Sequence, residues 1–124
     1  MDSRQTLQNT PPKEIRLKKD RSHLVISYED NTHYDLAAEY LRVESPSAEV
    51  QGHGVGQKTI PQGKKNVKII DIQPVGHYAV RLIFSDGHDT GLYSWSYLRR
   101  LGEETDQRFQ LYLETLDAKG LSRE

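Results

Sequence analysis

Apolar and polar positions alternate in two separate stretches of the chain, and each stretch predicts strands. Ile15 and Leu17 alternate with Arg16 and Lys18, and Leu24, Ile26 and Tyr28 alternate with Val25 and Ser27. A period of two puts the two sets on opposite faces of a strand. Asp30-Asn31 is a turn pair able to take positive φ, so Thr32 to Leu36 is expected to return as the partner strand. Ala37 to Val43 then reads as a short helix that stops before Pro46. The second half repeats this plan. Ile69 and Ile72 lie in an apolar segment that Pro74-Val75-Gly76 is expected to break, and Val80, Leu82 and Phe84 alternate up to Asp86-Gly87, a strong hairpin signal. Asp89 to Tyr93 returns, and Ser94 can cap a short helix through Leu101.

Laying Tyr28 on Phe84 puts Asp30 on Asp86 and Leu36 on Leu92; one inserted residue later, Tyr40-Leu41-Arg42 falls on Tyr97-Leu98-Arg99. Residues 24–42 and 80–99 are thus two copies of one strand–turn–strand–helix unit. Two copies are too few for a solenoid, so they are expected to pack face to face within one sheet-based core. Beyond Gly102, Thr105 can cap a helix whose Phe109, Tyr112, Leu113 and Leu116 fall at helical spacing, with Gly120 as its stop. That helix is expected to lie across the sheet. The predicted fold is α+β: a small, mostly antiparallel twisted β-sheet with the two related units and a C-terminal helix. Residues 1–12, polar and ending in Pro11-Pro12, read as a disordered tail, 13–120 as a single domain and 121–124 as a short C-terminal tail. Gln51 to Lys68, with Gly52, Gly54, Gly56, Gly63 and four lysines but no acidic residue, reads as a mobile basic loop.

Composition narrows the function classes. A length of 124 residues suits one compact core. Eighteen acidic against seventeen basic side chains leave no overall field to draw the chain onto nucleic acid or an anionic membrane, so neither is expected as a partner. The absence of cysteine excludes disulfides, thiolate metal sites and a cysteine nucleophile, and fits a cytoplasmic protein. No apolar run reaches the roughly 18 residues of a membrane span, and the polar N-terminus lacks the apolar stretch of a signal peptide.

The candidate chemistry gathers at the second hairpin. Asp86, His88 and Asp89 sit at its tip, and His53 and His77 are available from loops. Imidazole and carboxylate suit zinc or ferrous iron, which need about three converging protein ligands; the candidate metal ligands are His88, Asp86, His53 and His77. The competing expectation is that Asp86-Gly87 makes the turn while His88 hydrogen-bonds a backbone group. His33-Tyr34-Asp35 matches half of an iron triad but is expected on a solvent-facing strand. Gly52 to Thr59 approaches a phosphate-binding loop, yet Gln57 replaces its last glycine and Pro61 and Gly63 interrupt the helix it requires. Tyr93, Trp95 and Tyr97 are expected to fill the core and leave Arg99 and Arg100 solvated. No nucleophile elbow or triad is present, so an enzyme is not expected. Asp30 and Asp86 are expected to shape turns, with Arg42 and Arg99 near helix C-termini.

The run Pro74-Val75-Gly76-His77-Tyr78-Ala79-Val80, continued by Phe84-Ser85-Asp86-Gly87-His88-Asp89-Thr90-Gly91-Leu92-Tyr93-Ser94-Trp95, closely resembles the bacterial domain-of-unknown-function 971 family, also called the gamma-butyrobetaine hydroxylase-like N-terminal domain. The resemblance extends to Leu41-Arg42, Ser45-Pro46-Ser47-Ala48-Glu49, Gly52-His53-Gly54 and the C-terminal helix, roughly residues 13 to 123. In eukaryotic hydroxylases such a domain precedes an iron and 2-oxoglutarate oxygenase domain and holds a structural zinc through three cysteines and one histidine. In bacteria it commonly stands alone, and some plant proteins fuse it to a P-loop iron–sulfur carrier. The zinc histidine corresponds to His88 and the cysteines to Ser45, Ser47 and Val50, so the resemblance implies that this zinc site is absent here. It further implies a non-catalytic accessory or protein-interaction domain with a protein partner, an iron–sulfur or iron-dependent protein. The expected working surface is Gly52, His53, Gly54 and Lys58 together with Asp86, Gly87, His88 and Asp89. The alternative is direct binding of iron or zinc as cofactor by histidine and aspartate.

Overall fold

The computed structural model describes residues 10–47 and 60–124. Strands β1 (Glu14–Leu17), β2 (His23–Ser27) and β3 (His33–Ala37) lead directly into helix α1 (Ala38–Val43). Strands β4 (Ile69–Val75), β5 (Ala79–Phe84) and β6 (Leu92–Ser94) lead as directly into α2 (Trp95–Glu103), and α3 (Thr105–Ala118) follows. The α+β class and the duplicated unit are as expected, and each copy gains a leading strand. The strands divide into two three-stranded antiparallel sheets, β1-β2-β3 and β4-β5-β6. Arg21, at φ 65°, links them: its carbonyl accepts from Ile69 N–H at 2.9 Å and its guanidinium donates to the Ile70 carbonyl at 2.5 Å.

The alternation in sequence becomes two inward faces. Leu24, Ile26, Leu36, Val80, Leu82, Phe84 and Tyr93 are buried in one cluster with Tyr40 and Leu41 of α1 and Leu98 and Leu101 of α2. Each fully buried aliphatic or aromatic side chain contributes about 2 kcal/mol of transfer free energy. One core therefore serves both sheets, and the short helices seal it.

Three local expectations change. Pro74 does not break β4, because β4 is an edge strand and Pro74, opposite Val80, withholds no N–H that the ladder needs. The last strand begins only at Leu92, so residues 89–91 form a bend-free connection outside the ladder. Thr105 is the first residue of α3 rather than its cap, since its hydroxyl donates backwards to the carbonyls of Leu101 and Gly102. Helix α3 also builds a second cluster, in which Tyr112 and Leu116 bury with Val43 against Ile60 and Leu121, and the Tyr112 hydroxyl donates to the Pro61 carbonyl at 2.8 Å.

The helix ends where Gly120 was expected to stop it. Gly120 N–H donates to the Asp117 carbonyl and Leu121 N–H to that of Leu116, a paired C-terminal wrap that also packs Leu121 on Leu116. Residues 121–124 are fastened to the body. Gly63 N–H and Lys65 N–H donate to the carbonyls of Ser122 and Arg123, and Arg123 holds the buried Glu39 carboxylate through two bonds of 2.8 and 2.7 Å. No helix among the described residues is long and apolar enough to cross a membrane.

Candidate functional site

Both hairpin tips have the same backbone. At the first, Asn31 N–H donates to the Tyr28 carbonyl and Tyr28 N–H to that of Thr32; at the second, Gly87 donates to Phe84 and Phe84 to His88. The aspartate of each tip accepts from the backbone two residues on, Asp30 from Thr32 at 3.0 Å and Asp86 from His88 at 3.1 Å. Such side-chain turns are what aspartate favours. Asn31 and Gly87 follow at φ 68° and 91°, the left-handed region that asparagine and glycine tolerate.

Each aspartate also pairs with the arginine of the other copy. Arg42 Nε of α1 donates to Asp86 at 2.8 Å, and Arg99 of α2 donates to Asp30 at 3.2 Å. The helices exchange a second contact in the same sense. The Tyr40 hydroxyl donates to the Leu101 carbonyl at 2.7 Å and the Tyr97 hydroxyl to the Glu44 carbonyl at 2.5 Å, each reaching the C-terminal end of the opposite helix. The two copies are thus clasped by reciprocal bonds about an approximate two-fold axis. Arg99 is buried and stacks over the Tyr28 ring at 4.5 Å, so of the two arginines expected in solvent only Arg100 is exposed.

The second tip carries more than its counterpart. Lys64 Nζ adds a further bond to Asp86 at 2.7 Å. Burial works to raise the Asp86 carboxyl, but the bonds from Lys64, the His88 backbone and Arg42 outweigh it and bring its pKa down to about 2. Arg42 Nη1 is buried without a hydrogen-bond partner among the described residues, which makes Asp86 its principal counter-charge there. Behind the tip, His88 Nε2 and the Ser45 hydroxyl lie 2.8 Å apart, both buried, and Ser47 and Thr90 hydroxyls meet at 2.6 Å. Gly91 is required by this closeness: a Cβ there would come within 2.6 Å of Ser45 Oγ.

The expected ligands are therefore placed but not pooled. Asp86 and His88 are neighbours engaged with other protein groups, while His77 is exposed in the β4–β5 turn, where its carbonyl accepts from Trp95 Nε1 at 2.7 Å. Gly52, His53, Gly54 and Lys58 lie outside the described residues. His88 Nε2 lies within hydrogen-bond distance of a side chain, the Ser45 hydroxyl. The residues do not fit the family's zinc: Ser45 and His88, at two of its ligand positions, satisfy each other, and hydroxyls do not replace thiolates. Among the described residues no three His, Cys, Asp or Glu side chains are grouped to hold a metal ion. His33 and Asp35 are exposed on β3, as expected for a solvent-facing strand. The reciprocal arginine–aspartate and tyrosine–carbonyl bonds were missed at the sequence level, although the aligned Asp, Tyr and Arg of the two copies carried the signal.

Comparison with known proteins gives the same assignment. The family model described as gamma-butyrobetaine hydroxylase-like, N-terminal, matches residues 15–99. A solution structure is similar at 46% identity over 92% of this chain and 90% of that one, with a TM-score of 0.80; another shares 46% identity over 94% and 87%, with a TM-score of 0.79. The crystal structure of a protein with unknown function of the DUF971 family from Acidithiobacillus ferrooxidans is 41% identical over 77% of this chain and 96% of that one, with a TM-score of 0.63. No curated protein matches. With its matched span covering both sheets and most of α2, the chain belongs to the gamma-butyrobetaine hydroxylase-like N-terminal domain family, whose function is unknown.

Proposed function

We propose that the chain is a non-catalytic accessory or protein-interaction domain of the cytoplasm that engages a protein partner through its second hairpin tip. The carrying observation is the support behind that tip. Arg42 and Lys64 hold Asp86 from two directions and Ser45 holds His88, while Gly87 and Asp89 remain exposed. A loop ordered in advance by buried contacts loses little freedom on binding, which is how a small surface gains affinity. The family's association with iron hydroxylases supports an iron–sulfur or iron-dependent protein as the partner.

Affinity purification from cells producing the chain at native level tests the reading, with Asp89→Lys as the surface variant. Enrichment of an iron–sulfur or iron-dependent protein by the wild type and its loss with Asp89→Lys is the expected result. An unchanged partner set in the variant removes the tip from the interface, and a set with no such protein removes the iron association. Elemental analysis of untagged protein provides the competing outcome: stoichiometric iron or zinc that disappears in His88→Ala replaces this reading with direct metal binding.

A further inference from the structure

The pairings His23 with Ala37 and Val25 with Asp35 put these residues on the face of the first sheet opposite Leu24, Ile26 and Leu36, with Ala37, at the end of β3, also packed against the core. The N-terminal half of α3 closes over one end of that face. Between them lies a groove of about 410 Å³, large enough for a small organic group and lined on its apolar side by Ala37, Tyr40 and Phe109. The two rings meet edge to face with centroids 6.3 Å apart.

The polar lining has a single character once its hydrogen bonds are counted. The Ser22 hydroxyl donates to the Asp20 carboxylate at 2.7 Å and so can only accept from His23 Nδ1, 2.8 Å away. In the neutral ring this places the proton on Nδ1 and leaves Nε2 as an acceptor. Gln110 spends one of its two amide hydrogens on Glu114 at 3.2 Å, leaving the other and its carbonyl oxygen. Thr105 spends its hydroxyl hydrogen on the Leu101 and Gly102 carbonyls. Asp106 has no partner among the described residues. Asp35 has one, Lys18 at 2.7 Å, with side chains 44% and 41% exposed; an exposed pair of this kind contributes little and is displaced at small cost. The side-chain polar capacity left in the groove is mainly accepting, two of its groups are carboxylates, and no Lys or Arg lines it.

The two carboxylates favour an occupant that brings donors and positive charge, with an apolar part that lies against Ala37 and Phe109. A metal ion does not meet this description, because no three ligating side chains are grouped among the described residues. A guanidinium does: it is planar, weakly hydrated and carries five donors in a fixed fork that matches carboxylates, whereas an ammonium is a compact, strongly hydrated point charge. We propose that the groove between the first sheet and α3 is a binding site for a guanidinium group on a short aliphatic stem. The site is separate from the second hairpin tip, so it stands whether or not that tip binds a partner.

Titration of the isotope-labelled full chain with n-butylguanidine, followed by amide NMR, is the test. Saturable shifts confined to His23, Asp35, Ala37, Asp106, Phe109 and Gln110 and their neighbours are expected, with a dissociation constant on the order of 1 mM or tighter. Asp35→Asn with Asp106→Asn weakens binding about tenfold or more, while Asp30→Asn, an aspartate remote from the groove, leaves it unchanged. Unperturbed signals outside the groove show that the variants remain folded. Shifts of the same size with pentanoate, equal affinity for n-butylamine, or no saturable response overturns the proposal. The peptide acetyl-Gly-Arg-Gly-amide separates the sources: tighter binding than n-butylguanidine points to an arginine of a partner protein, weaker binding to a free small molecule, and either sustains the site.

Discussion

The first and second hairpin tips fold to the same backbone and differ in what stands behind them. Asp30 meets a single cation, Arg99, and its side chain is 41% exposed. Asp86 meets Arg42 and Lys64 and is 21% exposed. Thr32, at the end of the first turn, corresponds to His88, which reaches the buried Ser45 at the far end of α1. The shared part of the unit, an aspartate turn clasped by the other copy's arginine, answers to the fold. The added part, a second cation and a histidine bridge, converts one tip into a fixed platform. Duplication supplied two equivalent surfaces, and only one of them acquired this support.

Removing each aspartate is the strongest way to break this comparison. Asp86→Ala strands Arg42, whose Nη1 is already without a partner among the described residues, and is expected to cost about 3 kcal/mol, the lower end for a largely buried pair because water still reaches Asp86. Asp30→Ala is expected to cost distinctly less, since Arg99 keeps its place over the Tyr28 ring. Urea unfolding of the two variants measures the difference; equal losses would show that the extra support is energetically idle. The same carboxyl makes stability depend on pH. Its folded pKa of about 2 lies below its ordinary value of 3.8, so its contribution is complete above about pH 4 and is lost as pH falls through 2, about 2 kcal/mol in all. Asp86→Asn should flatten that part of the profile. Asp30, also lowered, first by the backbone bond from Thr32, contributes in the same direction, and Asp30→Asn should flatten the profile less.

What was legible in the chain was what short segments decide for themselves. Asp30-Asn31 and Asp86-Gly87 announce their turns because few residue pairs tolerate the required φ. Ser94 announces α2 because its hydroxyl can accept from Tyr97 N–H, as it does at 3.2 Å. Pro74 misled because its tolerance depends on lying at a sheet edge, which is settled only when β5 chooses its neighbours. Thr105 misled because a hydroxyl serves equally well to cap or to bond back into the preceding helix end. Arg42 with Asp86 and Arg99 with Asp30 are separated by 44 and 69 residues, so chemistry alone does not couple them; the two-fold relation of the copies does. At the site, correspondence with the family located His88 and Ser45 together, and the structure adds that His88 Nε2 and the Ser45 hydroxyl lie 2.8 Å apart.

The reciprocal tyrosines offer a finer test of that two-fold relation. Tyr40→Phe and Tyr97→Phe each remove one hydroxyl from a carbonyl at the end of the opposite helix. Each change is expected to cost about 1 kcal/mol, the usual net worth of one hydrogen bond in a folded protein. Near-equal losses, close to additive in the double variant, support two equivalent clasps. A much larger loss for one member would locate the inter-copy attachment on that side. Thermal or urea unfolding separates these outcomes.

The smallest expected effect concerns a feature that only one copy possesses. Ala37 and Ser94 occupy the same place, the extended residue before each short helix, at φ −66°, ψ 143° and φ −69°, ψ 161°. Only Ser94 has a side chain that caps, and α1 begins with no side-chain cap. Ser94→Ala should cost about 1 kcal/mol, and Ala37→Ser should return a few tenths to about 1 kcal/mol by giving the first helix the same bond. The gain is bounded by the brevity of α1, six residues whose position is already fixed by the burial of Tyr40 and Leu41; a helix held by packing has little left to gain from its own terminus. If Ala37→Ser fails to stabilise while Ser94→Ala destabilises, the two junctions differ in more than one atom, and the equivalence of the copies ends where each strand turns into its helix.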